Sequence, residues 1–131
     1  MAFDWNSYLT LAKELATQTN GQKVNQDIEA KQRCAVSRAY YCVYHSALAY
    51  ARITFAYTPS THSVSLHREL QKKYKQQSGS IDHREVGQIL TKLHQYRVNC
   101  DYQADDQGNL QKLLSSVVLE AERVDTILTT R

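Results

Sequence analysis

Proline occurs once and glycine four times in the 131 residues. Sheets joined by tight turns need more chain-reversing residues than this. Ala, Leu, Gln, Lys, Arg and Glu dominate instead, a helix-forming composition, and the expected fold is all-α. No long hydrophobic run exists either: the most apolar stretch, 34–56, is interrupted by Arg38, His45 and Arg52. The opening "MAFDWNSYLTLAKELATQ" lacks the basic start and continuous apolar segment of a signal peptide, so the expectation is a cytoplasmic protein without a membrane partner. The three cysteines, Cys34, Cys42 and Cys100, are odd in number and form no C-x-x-C pair. Neither a disulfide framework nor a thiolate metal site is suggested by that pattern, and buried free thiols are expected. A Gly-rich phosphate loop, a G-x-S-x-G elbow and an H-E-x-x-H pair are all missing, so no cofactor is expected. His62 and His67 are spaced poorly for a shared metal and have no third ligand nearby, so no metal is expected there. His83, near a predicted helix start, is expected at the surface.

A chain of this length fits one domain, taken as residues 1–131. Trp5, Tyr8, Leu9, Leu11, Ala12 and Leu15 recur at steps of three and four and predict a first helix over about Asp4–Thr19, stopped by Asn20-Gly21. A long second helix is predicted over about Asn25–Ile53, apolar nearly all round from Cys34 onward, as a central helix is. The loop "TFAYTPSTH" follows, then a short basic helix at about Ser63–Gln77. Ser80 can cap a fourth helix, about Ile81–Tyr102, and Asn109 a fifth, reaching about Thr129. The architecture expected is an up-and-down bundle of four to five helices.

The net charge of +3 is unevenly placed. Residues 31–75 hold eight Lys/Arg against Glu69, a net +7, and each flank sums to −2. Concentrated positive charge suits a phosphate-rich partner, because each neutralised phosphate releases counterions. Within it, "HRELQKKYKQQ" sets Arg68, Lys72, Lys73 and Lys75 beside Tyr74, the best basic-plus-aromatic patch for single-stranded RNA.

Two polar stripes run through helices that otherwise read as core. Arg38, Tyr41 and His45 share one face of the second helix, and His94, Arg97 and Asp101 share one face of the fourth, with Tyr102 adjacent. Asp101 lies four residues after Arg97, close enough to pair with it. Polar groups inside a bundle must satisfy one another, so the stripes are expected to face each other or to meet at a subunit interface. Such a cleft can hold a phosphate on the arginine, or move a proton of a 2′-hydroxyl through the histidine. A buried network fixing helix register uses the same residues.

"SRAYYCVYHSALAYAR" resembles the S-R-x-Y-Y-x-x-[FY]-H-x-A-x-A pattern of the HEPN superfamily, and "LHQYRVNCDY" is similar to the L-x-x-x-R-x-x-x-D-Y element of a branch of small bacterial members. With the intervening "THSVSLHREL" the resemblance covers about residues 30–125. It implies a helical bundle that homodimerises and is often encoded beside a minimal nucleotidyltransferase, a partner protein in toxin–antitoxin or defence pairs. Many relatives are metal-independent ribonucleases in which a histidine follows an arginine after four to six residues, on the helix that here carries Arg97. Val98, Asn99, Cys100, Asp101, Tyr102, Gln103 and Ala104 follow Arg97, none of them histidine. Asp101 can accept a proton at neutral pH but does not readily donate one.

The sequence therefore favours a homodimeric HEPN-type binding protein of a prokaryotic defence or toxin–antitoxin system over an enzyme. RNA, nucleotide or a partner protein would meet the cleft around Arg97 and Asp101, with Arg38, Tyr41, His45, His94, Asn99 and Tyr102 binding or supporting. The alternative is a metal-independent endoribonuclease in which Arg97 stabilises the phosphate and its transition state.

Overall fold

Each helix start that can be followed here uses a short polar side chain to hold an amide that the helix itself leaves without a partner. The computed structural model describes residues 4–60, 65–77, 79–102 and 110–129, the side chains of Asp101 and Tyr102 excepted. It contains α1 (Asn6–Thr19), α2 (Gln26–Thr54), α3 (Leu66–Lys75), α4 (Ile81–Tyr102) and α5 (Leu110–Thr129), with no strand among the described residues. Asn25 Oδ1 accepts from the Ile28 amide at 2.9 Å, Ser65 Oγ from Arg68 at 3.3 Å and Ser80 Oγ from His83 at 3.2 Å. Ser65 thus caps α3, which begins at Leu66 and ends at Lys75, inside the span of about Ser63–Gln77 expected from sequence. Ser63 and the expected α5 cap Asn109 lie outside the described residues.

Helix ends follow the same local logic. Gly21 takes φ +75° just past α1, the left-handed stop that Asn-Gly predicts. After α2, Ala56 adopts φ +50°, and the Tyr57 amide turns back to the Ala51 carbonyl at 3.1 Å. That closure drives Phe55 inward against the core.

The all-round apolar surface of α2 makes it the spine. Ala35, Val36, Ala39, Tyr40, Val43, Ala47 and Ala51 are almost completely buried. α1, α5 and α4 pack on α2, and α3 lies chiefly on α4. α5 contributes the stripe Leu110, Leu114, Val117, Ala121 and Val124, and α4 contributes Val86, Ile89, Leu90 and Leu93. Fully burying each Leu, Ile or Val contributes about 1.5–3 kcal/mol. One polar knot crosses this core: Gln111 Oε1 lies 2.9 Å from Thr19 Oγ1 and 2.8 Å from Gln32 Nε2, and Gln111 Nε2 donates to the Ala16 carbonyl at 3.2 Å. It ties α1, α2 and α5 in one register.

His83 is not at the surface. It is buried, its Nε2 lies 3.0 Å from the Tyr50 hydroxyl, and the rings of Phe55 and Tyr74 close around it. The start of α4 sits under the end of α2, where the Ala56 turn has brought Phe55 in. No helix among the described residues is long and apolar enough to cross a membrane.

Two substitutions between alanine and glycine should act through local backbone geometry, one in the turn after α2 and one at the contact of α4 with α3. Ala56→Gly relieves a left-handed conformation costing about 1–2 kcal/mol and adds about 0.4–1 kcal/mol of unfolded-chain entropy, so a gain of roughly 0.5 kcal/mol is expected in urea denaturation. At Gly87 an added Cβ would meet Lys75 Cγ at 2.8 Å, the Lys75 amide nitrogen at 3.0 Å and Tyr74 Cβ at 3.1 Å. Gly87→Ala should therefore lower the melting temperature, overpacking of roughly 1–3 kcal/mol outweighing about 1 kcal/mol of propensity.

Candidate functional site

The site grows from Tyr40, whose side chain is 1% exposed. A buried phenol needs a partner for its O–H, and Tyr40 finds it in Nδ1 of His67, on the first turn of α3. His67 stacks in turn on His94 of α4, ring centroids 4.8 Å apart and planes within 8°. Nδ1 of His94 accepts from Gln71 Nε2 at 3.2 Å, and Gln71 Oε1 is held by Thr91 Oγ1 at 3.2 Å. One turn beyond His94, the Arg97 guanidinium lies 5.7 Å from the Tyr40 ring centre and 5.3 Å from that of Tyr41. Tyr44 closes the far side, 4.5 Å from His67. His67, His94, Arg97 and Tyr41 are half-buried, so this cluster reaches the surface.

Its electrostatics follow from burial among cations. His67 is pushed down to about 4, first by desolvation, then by His94, Arg97 and His45. His94 is lowered by desolvation and then by Arg97 and Arg68. Burial raises the Tyr40 phenol, against the opposing pull of Arg97, so Tyr40 stays protonated and donates. Both imidazoles are neutral at pH 7 with Nδ1 engaged as an acceptor, which leaves the proton on Nε2. The cluster thus offers two Nε2–H donors and a guanidinium between aromatic faces, an arrangement that suits an anionic group attached to a flat ring.

Arg97, His94 and Tyr41, marked out by sequence, meet here. Arg38 and His45 do not: the Arg38 guanidinium lies 4.9 Å from the Tyr8 ring centre, and His45 stacks on Trp5 at 3.5 Å and 10°. Both are seated on α1, with Tyr41 as the link, 6.3 Å from His45. Among the described side chains, the two stripes meet at Tyr41. Asn99 Oδ1 accepts from Gln95 Nε2 at 2.9 Å along α4. The Asp101 and Tyr102 side chains, and with them the expected Arg97–Asp101 pair, lie outside the described residues. On α3, Arg68, Lys72 and Lys75 are exposed and Lys73 half-buried, and the influence of Arg68 on His94 places the basic helix beside the cluster.

Tyr40, His67, Gln71 and Thr91 were not singled out as site residues by sequence. A signal existed in the spacing: His67 and Gln71 stand four apart on α3, and Thr91, His94 and Arg97 three apart on α4. Each set shares a face, and the two faces are the ones that meet. Among the described residues no three His, Cys, Asp or Glu side chains converge as a metal would require.

A family model described as the HEPN domain matches residues 23–129 of the chain. No curated protein and no solved structure gives a significant match.

The depressed histidines predict how stability depends on pH. A group whose pKa is lower folded than unfolded binds more protons when unfolded, so stability falls as pH drops from about 6.5, the unfolded value, toward the folded value. For His67 that window runs down to about 4. The urea midpoint should decline between pH 7 and 4.5, and His67→Gln, whose amide oxygen can still accept from Tyr40, should flatten the decline. An unchanged slope in that variant would count against the assignment.

Proposed function

The chain belongs to the HEPN domain family, and from there we propose that it is a homodimeric binding protein of a prokaryotic defence or toxin–antitoxin system that holds RNA or a nucleotide by its phosphate at Arg97. The observation that carries this reading is the stacked His67–His94 pair beside Arg97. With each Nδ1 already accepting a hydrogen bond, the imidazoles present donors to an anion and no open basic nitrogen to a hydroxyl. Tyr41 and Tyr44 supply ring faces for a base. Arg68, Lys72, Lys73 and Lys75 extend positive charge along α3 for neighbouring phosphates. A minimal nucleotidyltransferase is the partner protein in this reading, and the functional unit is one domain over residues 1–131.

One observation favours a second reading, a metal-independent endoribonuclease. His67 and His94 bring two imidazoles to Arg97 through space, although the sequence after Arg97 has no histidine. Cleavage would need one imidazole to take the 2′-hydroxyl proton while another group protonates the leaving 5′ oxygen. Either Nδ1 would first have to give up its hydrogen bond.

Labelled single-stranded RNA distinguishes the two. Binding without cleavage, lost in Arg97→Ala, is expected, and cleavage by the wild type that Arg97→Ala abolishes would establish the enzyme instead. Replacing Lys72 and Lys73 by alanine should weaken binding for all sequences alike and reduce the salt slope by about one for each phosphate no longer neutralised. Sedimentation at high concentration should give a dimer; a 15.0 kDa species alone would contradict that part.

A further inference from the structure

A neutral imidazole has one nitrogen that donates and one that accepts, and the partner of Nδ1 decides which is which. His94 is held neutral at pH 7 by desolvation first and then by Arg97 and Arg68. Its Nδ1 faces the side-chain amide of Gln71, a group that donates or accepts according to the way it is turned. As the amide stands, Gln71 Nε2 donates to Nδ1 at 3.2 Å and Oε1 lies 3.2 Å from Thr91 Oγ1. The one proton of that hydroxyl serves either Oε1 or the Gly87 carbonyl, 2.9 Å away. Turning the amide over puts Oε1 against Nδ1 and Nε2 against Thr91. The Thr91 hydroxyl then accepts from Nε2 while donating to Gly87, and His94 carries its proton on Nδ1. No hydrogen bond is lost in the exchange, and Gln71, itself buried, has a defined set of partners in either state. Nε2 of His94, which no described residue engages, passes from donor to acceptor.

His67 lacks this freedom. Its Nδ1 serves the Tyr40 hydroxyl, which burial keeps protonated and which has no other acceptor among the described residues. The stacked pair thus joins one fixed donor to one convertible group. Nucleobases divide on the same distinction: adenine and cytosine present an exocyclic amine, a donor, whereas guanine and uracil present a carbonyl, an acceptor. A side chain fixed as a donor favours the second kind, and one that converts takes both. Arg97 lies one turn from His94 and 5.3 Å from the Tyr41 ring centre. A nucleotide with its phosphate at Arg97 and its base on a tyrosine face therefore brings the edge of that base within reach of the imidazole.

We infer, on the reading that this site holds RNA, that His94 meets the exocyclic group of a bound base and that the Gln71 amide turns to match it, so that the site takes amino and keto bases alike. Long-range proton–nitrogen spectra of the wild-type protein at pH 7, with oligoadenylate, oligocytidylate or oligouridylate of equal length, show which His94 nitrogen is bare. Oligouridylate should leave it at Nδ1. Oligoadenylate and oligocytidylate should move it to Nε2, with His67 bare at Nδ1 throughout. Thr91→Val keeps the shape of the side chain and removes the acceptor that the turned amide needs. Relative to wild type it should weaken oligoadenylate and oligocytidylate by about tenfold, a buried donor being left unsatisfied, and leave oligouridylate nearly unchanged. Thr91→Ser, which keeps the hydroxyl, should restore the first two. One His94 tautomer with all three oligonucleotides, or equal weakening of the three by Thr91→Val, overturns the inference while RNA binding stands. If none of the three binds the wild-type protein, the RNA reading falls and the inference with it.

Discussion

A hydroxyl placed at the centre of a helical bundle has to find a partner there, and Tyr40 imposes that demand on everything around it. It sits on the one helix covered by neighbours on nearly every side, at 1% exposure. Satisfying its O–H fixes the position of His67, which fixes the approach of α3 to α4, since the same imidazole stacks on His94. Gly87 permits that approach by leaving room for the backbone of α3. The candidate site is thus the polar resolution of a packing problem, with Nδ1 of each imidazole engaged by Tyr40 or Gln71.

The two sides of α2 have different occupants. Toward α1, Trp5 and Tyr8 cover His45 and Arg38 with flat rings, and the Gln111 knot holds α1 against α5 and α2. Desolvation alone lowers His45. Toward α3 and α4 the cover is incomplete, and Tyr41, His67, His94 and Arg97 remain accessible at the edges. Tyr41 belongs to both sides, linking the covered half of the stripe to the open one.

Helix existence was legible from the sequence because the signals are local: breaker scarcity, the Asn-Gly stop, the Ser80 cap and the three-four stripe of α5 all act within a few residues. The family pattern was legible as well, since its spacing lies mostly on α2 and α4. The face that each polar residue meets was not. Periodicity places Arg38 and His45 on one side of α2, but on a helix that is apolar all round it does not say which neighbour covers that side. His83 illustrates the same limit, its burial depending on a left-handed Ala56 that turns Phe55 inward. The histidine nearest His67 in sequence is His62, whereas its physical partners Tyr40 and His94 each lie 27 residues away along the chain.

Long-range proton–nitrogen spectra of the histidine rings, recorded as single-stranded RNA is added, test the central claim most directly. Here the Nε2 signals of His67 and His94 should move together, while His45, stacked on Trp5, and His83, enclosed by Tyr50, Phe55 and Tyr74, stay in place. Movement of His45 with His67 and His94 unperturbed would contradict the account, placing the ligand on the α1 side of α2 instead.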